Sequence, residues 1–331
     1  MFSHENYPLV SVVILNWNGG DYLRMCVKSV IETDYPKNLL EVAVVDNGST
    51  DGSARLAKKK YPQIKLIENG SNLGFCVGNN IGIKYASGNL IILLNNDTCV
   101  EKSWVKEIVK VATNPHVGII GCKLYYANTN IIQSVGFQLH PSGCTLSIGV
   151  LQVDQGQFDE IKDVDYVSGA ALAVKRSVID EIGLLDPEFY AYYEDVDWCQ
   201  RAKKVGYRVV IAPRAIVHHF GSISWRKRSL KHVYLCERNR LYFIMKHHTG
   251  LKLFKSLTLH DLEFTVQKIV ELLACKTVTQ IEKLSPAIAK NRSKHSRIIE
   301  IITTILGAKL LAYLLIPLLI FKTKKGRLKW N

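Results

Sequence analysis

The feature that most constrains this chain is the alternation of short apolar runs with amphipathic segments over its first 125 residues. Four apolar runs lie at residues 9–17, 39–49, 64–69 and 89–98. Helical periodicity follows them at residues 19–33, 52–62, 74–88 and 103–113. Short runs rich in β-branched residues are typical of strands buried on both faces of a sheet. The order therefore predicts a mostly parallel, doubly wound, Rossmann-like α/β sheet with right-handed crossovers.

Polar residues follow three of these strands. Asn16–Asn18 ends the first strand, Asp46–Ser49 the second and Asn95–Thr98 the fourth. Ligands of doubly wound sheets bind beyond the carboxyl ends of the strands. We therefore expect these three clusters to lie in one crevice.

Charge is divided unevenly along the chain. Residues 1–221 carry 21 Lys and Arg against 23 Asp and Glu, whereas residues 222–331 carry 22 against 6. The front part is thus near neutral, and the basic tail is expected to meet phosphate on an anionic membrane surface, nucleic acid or a phosphorylated acceptor. The eight cysteines are scattered without a Cys-x-x-Cys pair, which predicts reduced cytosolic thiols rather than a zinc or redox site.

Each polar cluster has a structural and a functional interpretation. Asp46 suits hydrogen bonds to a nucleobase or ribose, but a helix cap at Asp46, Ser49 or Asp51 is the more common use of an isolated aspartate here. Asp97 suits a hard divalent cation that takes other ligands from phosphates, although Asn-Asn-Asp is also good turn chemistry.

A second acidic cluster lies in the sequence YYEDVDWCQRA. Glu194, Asp195 and Asp197 repel one another unless a helix N-terminus, a cation or a shared proton offsets the repulsion. One of them is a candidate general base, and a capping cluster on a solvated helix is the alternative. His218 and His219 end a later strand, where a histidine pair is more often structural than a ligand. His218 is the candidate to complete a metal site begun by Asp97.

The tail contains an amphipathic segment with Leu262, Val266, Ile269, Val270 and Leu273 on one face. The segment 298–321 is largely apolar, with Glu300 and Lys309 as its only charges. A helix of that length would reach about 36 Å, enough to cross a hydrocarbon core of about 30 Å. It is interpreted as a membrane span, an in-plane helix or an oligomer interface, with membrane attachment favoured because its flanks are basic.

The order of these motifs resembles the family-2 glycosyltransferases of the GT-A fold, especially their rhamnosyltransferase-like branch. The resemblance covers residues 9–245 and is carried by VSVVILNWNG, VVDNGSTDGS, NLGFCVGNNIGI, LLNNDT, VGIIGCKLYY, VDYVSGAALAVKR, GLLDPEFYAYYEDVDWCQRAKKVGY and IVHHFGS. It implies a catalytic domain at residues 1–245 and a basic, helical, membrane-associating extension at residues 246–331.

The resemblance also implies roles for individual residues. The donor would be bound by Asn16, Asp46, Asn72, Gly74, Asn79 and Asn96. The sugar and acceptor would lie against Gly169 and Ala170. Asp195 would be the catalytic base with Glu194 beside it, and Asp97 and His218 would hold Mg²⁺ or Mn²⁺ with the diphosphate. The cation motif reads Asn95-Asn96-Asp97, so it keeps one carboxylate of the family's Asp-x-Asp pattern.

The activity implied is inverting transfer of a sugar, with rhamnose weakly favoured, from a UDP-, dTDP- or GDP-sugar. The acceptor would be a hydroxyl of a cell-surface glycan or lipid-linked saccharide. The catalytic domain would face the cytoplasm. The resemblance is also compatible with a homo-oligomer. Two alternatives stay open: a sugar-nucleotide nucleotidyltransferase, and a non-enzymatic nucleic-acid-binding protein. The first would show a Lys- or Arg-bearing loop where this chain has NWNGGDYL, and the tail's apolar runs argue against the second.

Overall fold

A computed structural model describes residues 7–221, 230–273, 307, 309–310 and 312–314. The chain forms two compact units, one of Met1–Gln138 with Ser147–Ser222 and one of Leu139–Leu146 with Ile223–Asn331. The units divide at residue 222, whereas the sequence prediction placed the domain boundary after residue 245.

The predicted alternation of strands and helices is confirmed in the first unit. In chain order the helices and strands are β1 Val10–Asn16, α1 Gly20–Ile31, β2 Leu40–Asp46, α2 Ser53–Lys60, β3 Lys65–Glu68, α3 Gly74–Tyr85, β4 Leu90–Asn95, β5 Thr98–Val100, α4 Trp104–Ala112, β6 Val117–Tyr126, β7 Ile132–Ser134, β8 Phe137–Leu139, β9 Thr145–Ser147, β10 Lys162–Asp163, β11 Ala171–Lys175, α5 Arg176–Ile182, α6 Glu194–Lys204 and β12 Arg208–His219. Short 3₁₀ turns lie at Lys37–Leu39 and Pro187–Phe189.

The main sheet is mixed, and its parallel half is the part that the sequence predicts. Its strand order is β10-β12-β6-β11-β4-β1-β2-β3, with β5 added to β12 and β7 to β6. The strands β3, β2, β1 and β4 are parallel neighbours. β11 enters antiparallel between β4 and β6, and β12 runs parallel to β6. A separate two-stranded sheet is formed by β8 and β9.

Helices cover this sheet with their apolar faces. Leu23, Val27 and Val30 of α1 are fully buried, as helical periodicity requires. Trp104 and Trp198 are the largest buried apolar side chains, and each indole N–H has a partner: Cys122 Sγ at 3.2 Å and the Gly183 carbonyl at 2.9 Å. The core thus fixes α4 and α6 against the sheet without leaving a buried indole donor unpaired.

Close approach of α3 to the sheet depends on Gly82. A Cβ at this position would lie 2.3 Å from Val13 Cγ1 and 2.8 Å from Val45 Cγ2. We expect Gly82→Ala to lower the free energy of unfolding by about 1–3 kcal/mol, because two packed strands must move. Guanidinium denaturation measures the change. Gly169→Ala is the matched control, since its Cβ would meet nothing closer than 3.5 Å; equal losses in both variants would contradict the packing argument.

The second unit is helical in its described part. It contains α7 Leu230–His247, α8 Gly250–Leu257 and α9 Leu259–Leu273. Within the described residues, no helix is both long and apolar enough to cross a membrane. The predicted membrane helix at 298–321 lies outside the described residues except at positions 307, 309–310 and 312–314.

Candidate active site

The polar ends of the parallel strands meet at one edge of the sheet. Asn16 on β1 lies opposite Asp46 on β2, and Leu15 lies opposite Asn95 on β4. The Asn16 side chain donates to Asp46 Oδ1 at 2.8 Å and accepts from Asn96 Nδ2 at 2.9 Å. The three polar clusters are therefore joined by hydrogen bonds, as the strand pattern predicts.

Asp46 is held tightly in this group. Its carboxylate also accepts from the Ser49 backbone N–H at 2.9 Å and from Ser49 Oγ at 2.6 Å, and the residue is 5% exposed. Asp46 thus closes the turn after β2, whereas the N-cap of α2 is Gly52, which offers no side-chain cap bond. Asp51 likewise accepts from the backbone N–H of Ser53 at the start of α2 and from that of Gly20. All of these hydrogen bonds lie within the protein, and they fix the side chains along this edge of the sheet.

The segment before α3 closes against the same edge. Asn47, the residue after β2, donates to the Gly74 carbonyl at 3.0 Å, and Asn72 Oδ1 accepts from the Gly74 N–H at 3.0 Å. Asn79 does not reach the crevice: it is 1% exposed and donates back to the Phe75 carbonyl in its own helix at 3.0 Å. Asn72 and Gly74 therefore lie at the crevice edge, whereas Asn79 is an interior residue.

The structure places His219, rather than the predicted His218, beside Asp97. His219 Nε2 lies 3.2 Å from Asp97 Oδ1, while His218 Nε2 lies 3.5 Å from Glu101 and its ring stacks on Tyr125. Successive side chains on β12 point to opposite faces, so one histidine of the pair is directed away from the crevice. The strand pattern alone did not reveal which one.

Asp97 and His219 are two adjacent side chains that could act as metal ligands. His219 Nδ1 lies 2.9 Å from Gln133 Oε1, which orients the ring, and the Asp97 carbonyl accepts from the Phe220 N–H at 2.8 Å. In the part of the chain that the structure describes, no group of three His, Cys, Asp or Glu side chains could enclose a metal ion. The described residues therefore offer a cation two ligands here, Asp97 and His219.

Asp195 lies in the first turn of α6 and is fixed by two backbone donors. Its Oδ2 accepts from the Gly169 N–H at 2.9 Å, and its Oδ1 accepts from the Val196 N–H at 2.8 Å. The Ala170 carbonyl accepts from the Asn95 N–H at 2.9 Å. The segment entering β11 thus connects the acidic cluster to the end of β4, and Ala170 itself is buried.

The acidic pair is arranged to retain a proton. Burial raises the pKa of Asp195, and the backbone donors of Gly169 and Val196 oppose that shift. Burial, followed by the charge of Asp195, raises the pKa of Glu194 well above its usual range. Glu194 is 5% exposed, and its Oε2 has no hydrogen-bond partner. Burial therefore opposes charge on both carboxyl groups, and the backbone donors favour the ionised form of Asp195.

A tyrosine loop precedes this pair and was missed by the sequence analysis. Tyr190, Tyr192 and Tyr193 have φ values of 63°, 72° and 71°. Such backbone conformations cost about 1–3 kcal/mol each in bulky residues and concentrate at functional sites. The Tyr190 carbonyl accepts from the Phe75 and Cys76 N–H groups at 2.8 and 3.1 Å. The loop therefore ties the start of α3 to the start of α6.

Glycines mark two further contacts that the sequence left unassigned. A Cβ on Gly221 would lie 2.0 Å from Asp97 Oδ2, and one on Gly19 would lie 2.4 Å from both Asn16 Oδ1 and Asn96 Nδ2. Larger residues at these positions would displace the side chains that define the crevice. Only the folded neighbours reveal this requirement.

A parallel half-sheet with a polar edge, extended by the antiparallel strand β11 and flanked by a buried carboxylate pair at the start of α6, is the arrangement of the GT-A class of nucleotide-sugar transferases. The sequence model described as glycosyl transferase family 2 matches residues 11–183, more than half of the chain. The chain belongs to glycosyl transferase family 2, and the predicted family and enzyme class are confirmed.

Several curated relatives cover most of this chain. The low-salt glycan biosynthesis hexosyltransferase Agl10 of Haloferax volcanii is 26% identical over 70% of this chain and 74% of its own length. The N-acetylglucosaminyl-diphospho-decaprenol L-rhamnosyltransferase of Mycobacterium tuberculosis is 24% identical over 73% and 86%. An uncharacterized protein of Sinorhizobium fredii, y4gI, is 28% identical over 66% of this chain, which spans only 25% of that protein.

Solved structures share the fold at lower identity. The mannosyltransferase PcManGT of Pyrobaculum calidifontis, in complex with GDP-Man and Mn²⁺, superposes with a TM-score of 0.59 at 16% identity, over 95% of this chain and 88% of that one. GalNAc-T7 with UDP, GalNAc and Mn²⁺ gives a TM-score of 0.57 at 19% identity, over 73% and 52%. These similarities establish the GT-A fold.

Proposed function

We propose that this chain transfers a sugar from a nucleoside-diphosphate sugar to an acceptor hydroxyl, with inversion at the sugar carbon. The observation that carries the proposal is the Asp195 carboxylate, held by two backbone N–H groups beside the buried Glu194. Family membership favours this reaction over the nucleotidyltransferase and the nucleic-acid-binding alternatives. The catalytic domain of the proposal spans residues 1–245.

The donor is assigned to the crevice at the ends of β1, β2 and β4. Asn16 and Asp46 would face the nucleoside, with Asn72, Gly74 and Asn96 beside them. Solved relatives of this fold hold GDP-Man and UDP-GlcNAc, which supports a nucleoside-diphosphate sugar as the donor class. The mycobacterial relative favours rhamnose as the sugar, and the dTDP-, UDP- and GDP-linked forms are the donors to compare.

A divalent cation is assigned to Asp97 and His219. One carboxylate and one imidazole within 3.2 Å of each other suit a cation that is completed by diphosphate oxygens and water. When bound, Mg²⁺ or Mn²⁺ would neutralise charge on the diphosphate leaving group. Solved neighbours contain Mn²⁺, which supports a divalent ion. His218 is turned toward Glu101 and is left out of this assignment.

The protein's own contribution to the reaction centres on Asp195. A sugar hydroxyl is a weak nucleophile near neutral pH, and Asp195 would accept its proton as the hydroxyl attacks. Glu194 would hold a second proton, which prevents two adjacent charges, and Gly169 leaves open the space against which the sugar would lie. Because the attacking oxygen displaces the diphosphate directly, no carboxylate nucleophile is required.

The acceptor is proposed to be a cell-surface glycan or a lipid-linked saccharide. Relatives named for low-salt glycan, O-antigen and decaprenol-linked products support this class. We further propose that the chain associates with the cytoplasmic face of a membrane, where its basic part meets anionic lipid, and that it can form a homo-oligomer.

A donor screen tests this function. We expect one nucleotide sugar with Mn²⁺ to raise the melting temperature. A ligand at 100 times its Kd adds about 2.7 kcal/mol to the free energy of unfolding. Each kcal/mol raises the melting temperature of a unit of this size by about 2–4 °C. Asp97→Asn should lose the part of the shift that requires Mn²⁺ and keep the nucleotide part. Asp21→Asn, on the exposed side of α1, is the matched control. No shift with any nucleotide sugar would contradict the proposal.

A further inference from the structure

On both α8 and α9, one polar side chain is buried while several apolar side chains are exposed to solvent. On α8, Ser256 is 1% exposed, whereas Leu251 and Phe254 are 67% and 61% exposed. On α9, Asp261 is 8% exposed, whereas Leu262 is 65% exposed. In water the opposite orientation is favoured, because burying apolar surface stabilises a fold.

The exposed apolar side chains share one face of each helix. Leu251 and Phe254 are three residues apart, and Leu259, Leu262 and Val266 follow the same helical spacing. These five residues are called here the α8–α9 apolar surface. Aligned exposed apolar side chains of this kind are typical of a surface that binds a protein or a membrane.

Buried ionic contacts hold the helices in this orientation. Lys309 Nζ lies 2.7 Å from Asp261 Oδ1, and the Tyr313 hydroxyl donates to Asp261 Oδ2 at 2.8 Å. Arg240, 1% exposed, lies 3.1 Å from the same carboxylate and donates to the Ser142 carbonyl at 2.7 Å. A rotation of α9 that buried its apolar face would break these contacts of Asp261. The contacts therefore keep the apolar face of α9 directed outward.

The charge around the α8–α9 apolar surface favours an anionic lipid surface over a second copy of the chain as its partner. Lys252 and Lys255 are exposed beside Leu251 and Phe254 on α8, and residues 222–331 carry 22 basic against 6 acidic side chains. Among the described side chains of α9, the exposed acid is Glu263, which lies 3.6 Å from His260. A second copy would bring two strongly basic units together, whereas anionic headgroups would neutralise them.

Helix length fixes the mode of contact. α8 has 8 residues and α9 has 15, which correspond to about 12 and 22 Å of helix. Both are shorter than a hydrocarbon core of about 30 Å. Amphipathic helices with flanking lysines lie in the plane of the interface, with apolar side chains among the upper acyl chains.

We propose that the α8–α9 apolar surface docks in the plane of an anionic lipid bilayer, with Phe254 and Leu262 inserted and Lys252 and Lys255 on the headgroups. This inference deepens the proposed membrane association by naming the surface that makes it. It does not depend on which sugar is transferred.

Vesicle flotation of the full chain tests the surface. Wild type should float with vesicles of equal parts phosphatidylcholine and phosphatidylglycerol and bind phosphatidylcholine alone weakly. Phe254→Glu/Leu262→Glu should lower the partition coefficient at least about tenfold, because two inserting side chains become charged. Lys252→Glu/Lys255→Glu should reduce binding to the anionic vesicles selectively.

Leu56→Glu/Tyr85→Glu is the matched control, since both residues are more than half exposed on the first unit. It should bind vesicles like wild type. Binding retained by Phe254→Glu/Leu262→Glu would overturn the surface and leave the transfer reaction unaffected. A wild-type dimer that this variant converts to a monomer, with vesicle binding unchanged, would assign the surface to a second copy and overturn the proposal.

Discussion

Asp195→Asn is expected to lower kcat by about 10²–10⁴-fold, the usual contribution of a positioned general base. The amide keeps the size of the side chain, and its carbonyl oxygen can still accept one of the two backbone hydrogen bonds from Gly169 and Val196. Donor binding should persist, because Asp195 lies in α6 and the donor residues lie at the ends of β1, β2 and β4. Single-turnover rates together with donor-induced thermal shifts separate the two effects.

The pH profile gives a second signature of this base. Asp195 accepts a proton only when ionised, so kcat/KM should fall as pH decreases through the apparent pKa of the Asp195–Glu194 pair. Burial raises the pKa of Asp195, which places the acid limb above the ordinary aspartate value of about 3.9. Asp195→Asn should lose this limb along with the rate. Glu188→Gln, an exposed carboxyl-to-amide change in the preceding 3₁₀ turn, should keep both. Near-normal turnover by Asp195→Asn would rule Asp195 out as the base.

Arg201→Ala is expected to cost about 3–5 kcal/mol of unfolding free energy, the range found when one partner of a buried ion pair is removed. Arg201 Nε lies 2.9 Å from Asp197 Oδ2, and the Asp197 side chain is fully buried. The guanidinium also donates to the carbonyl of Ile182, the last residue of α5, and to that of Leu184. The substitution therefore removes the cation next to a buried carboxylate and the donors that satisfy the end of α5.

Arg208→Ala is the matched control for this prediction. Arg208 pairs with Asp163 at 2.6 Å, but their side chains are 43% and 61% exposed. Solvent screening limits such a pair to about 0–1 kcal/mol. Guanidinium denaturation of both variants at neutral pH makes the comparison. If the two substitutions cost the same, burial of Asp197 would not be the source of stability in α6.

The parallel half of the fold was accessible from the sequence because its signals are local. Short β-branched runs such as residues 9–17 specify buried strands, and helical spacing between them specifies crossovers. From that order alone, Asn16, Asp46 and Asn96 had to come together, because parallel strands end at the same edge. The acidic cluster at Glu194 and Asp195 was also visible in the sequence, since adjacent carboxylates repel each other unless a cation, a helix N-terminus or a shared proton offsets the repulsion.

The antiparallel half was decided by tertiary structure. No local pattern places β11 between β4 and β6, because strand pairing joins residues far apart in the chain. That pairing brings the Gly169 N–H to Asp195 and the Ala170 carbonyl to Asn95. The environment that raises the pKa of Asp195 exists only after these segments meet.

Side-chain direction was the other property that only the folded chain determined. A shift of one residue on a strand turns a side chain to the opposite face, so the sequence identified the His218–His219 pair but not that His219 meets Asp97. Helical spacing likewise grouped Leu262 with Val266 but did not show that their face points outward. Periodicity specifies which residues share a face, whereas the neighbours, here Asp261 with Lys309 and Arg240, specify where that face is directed.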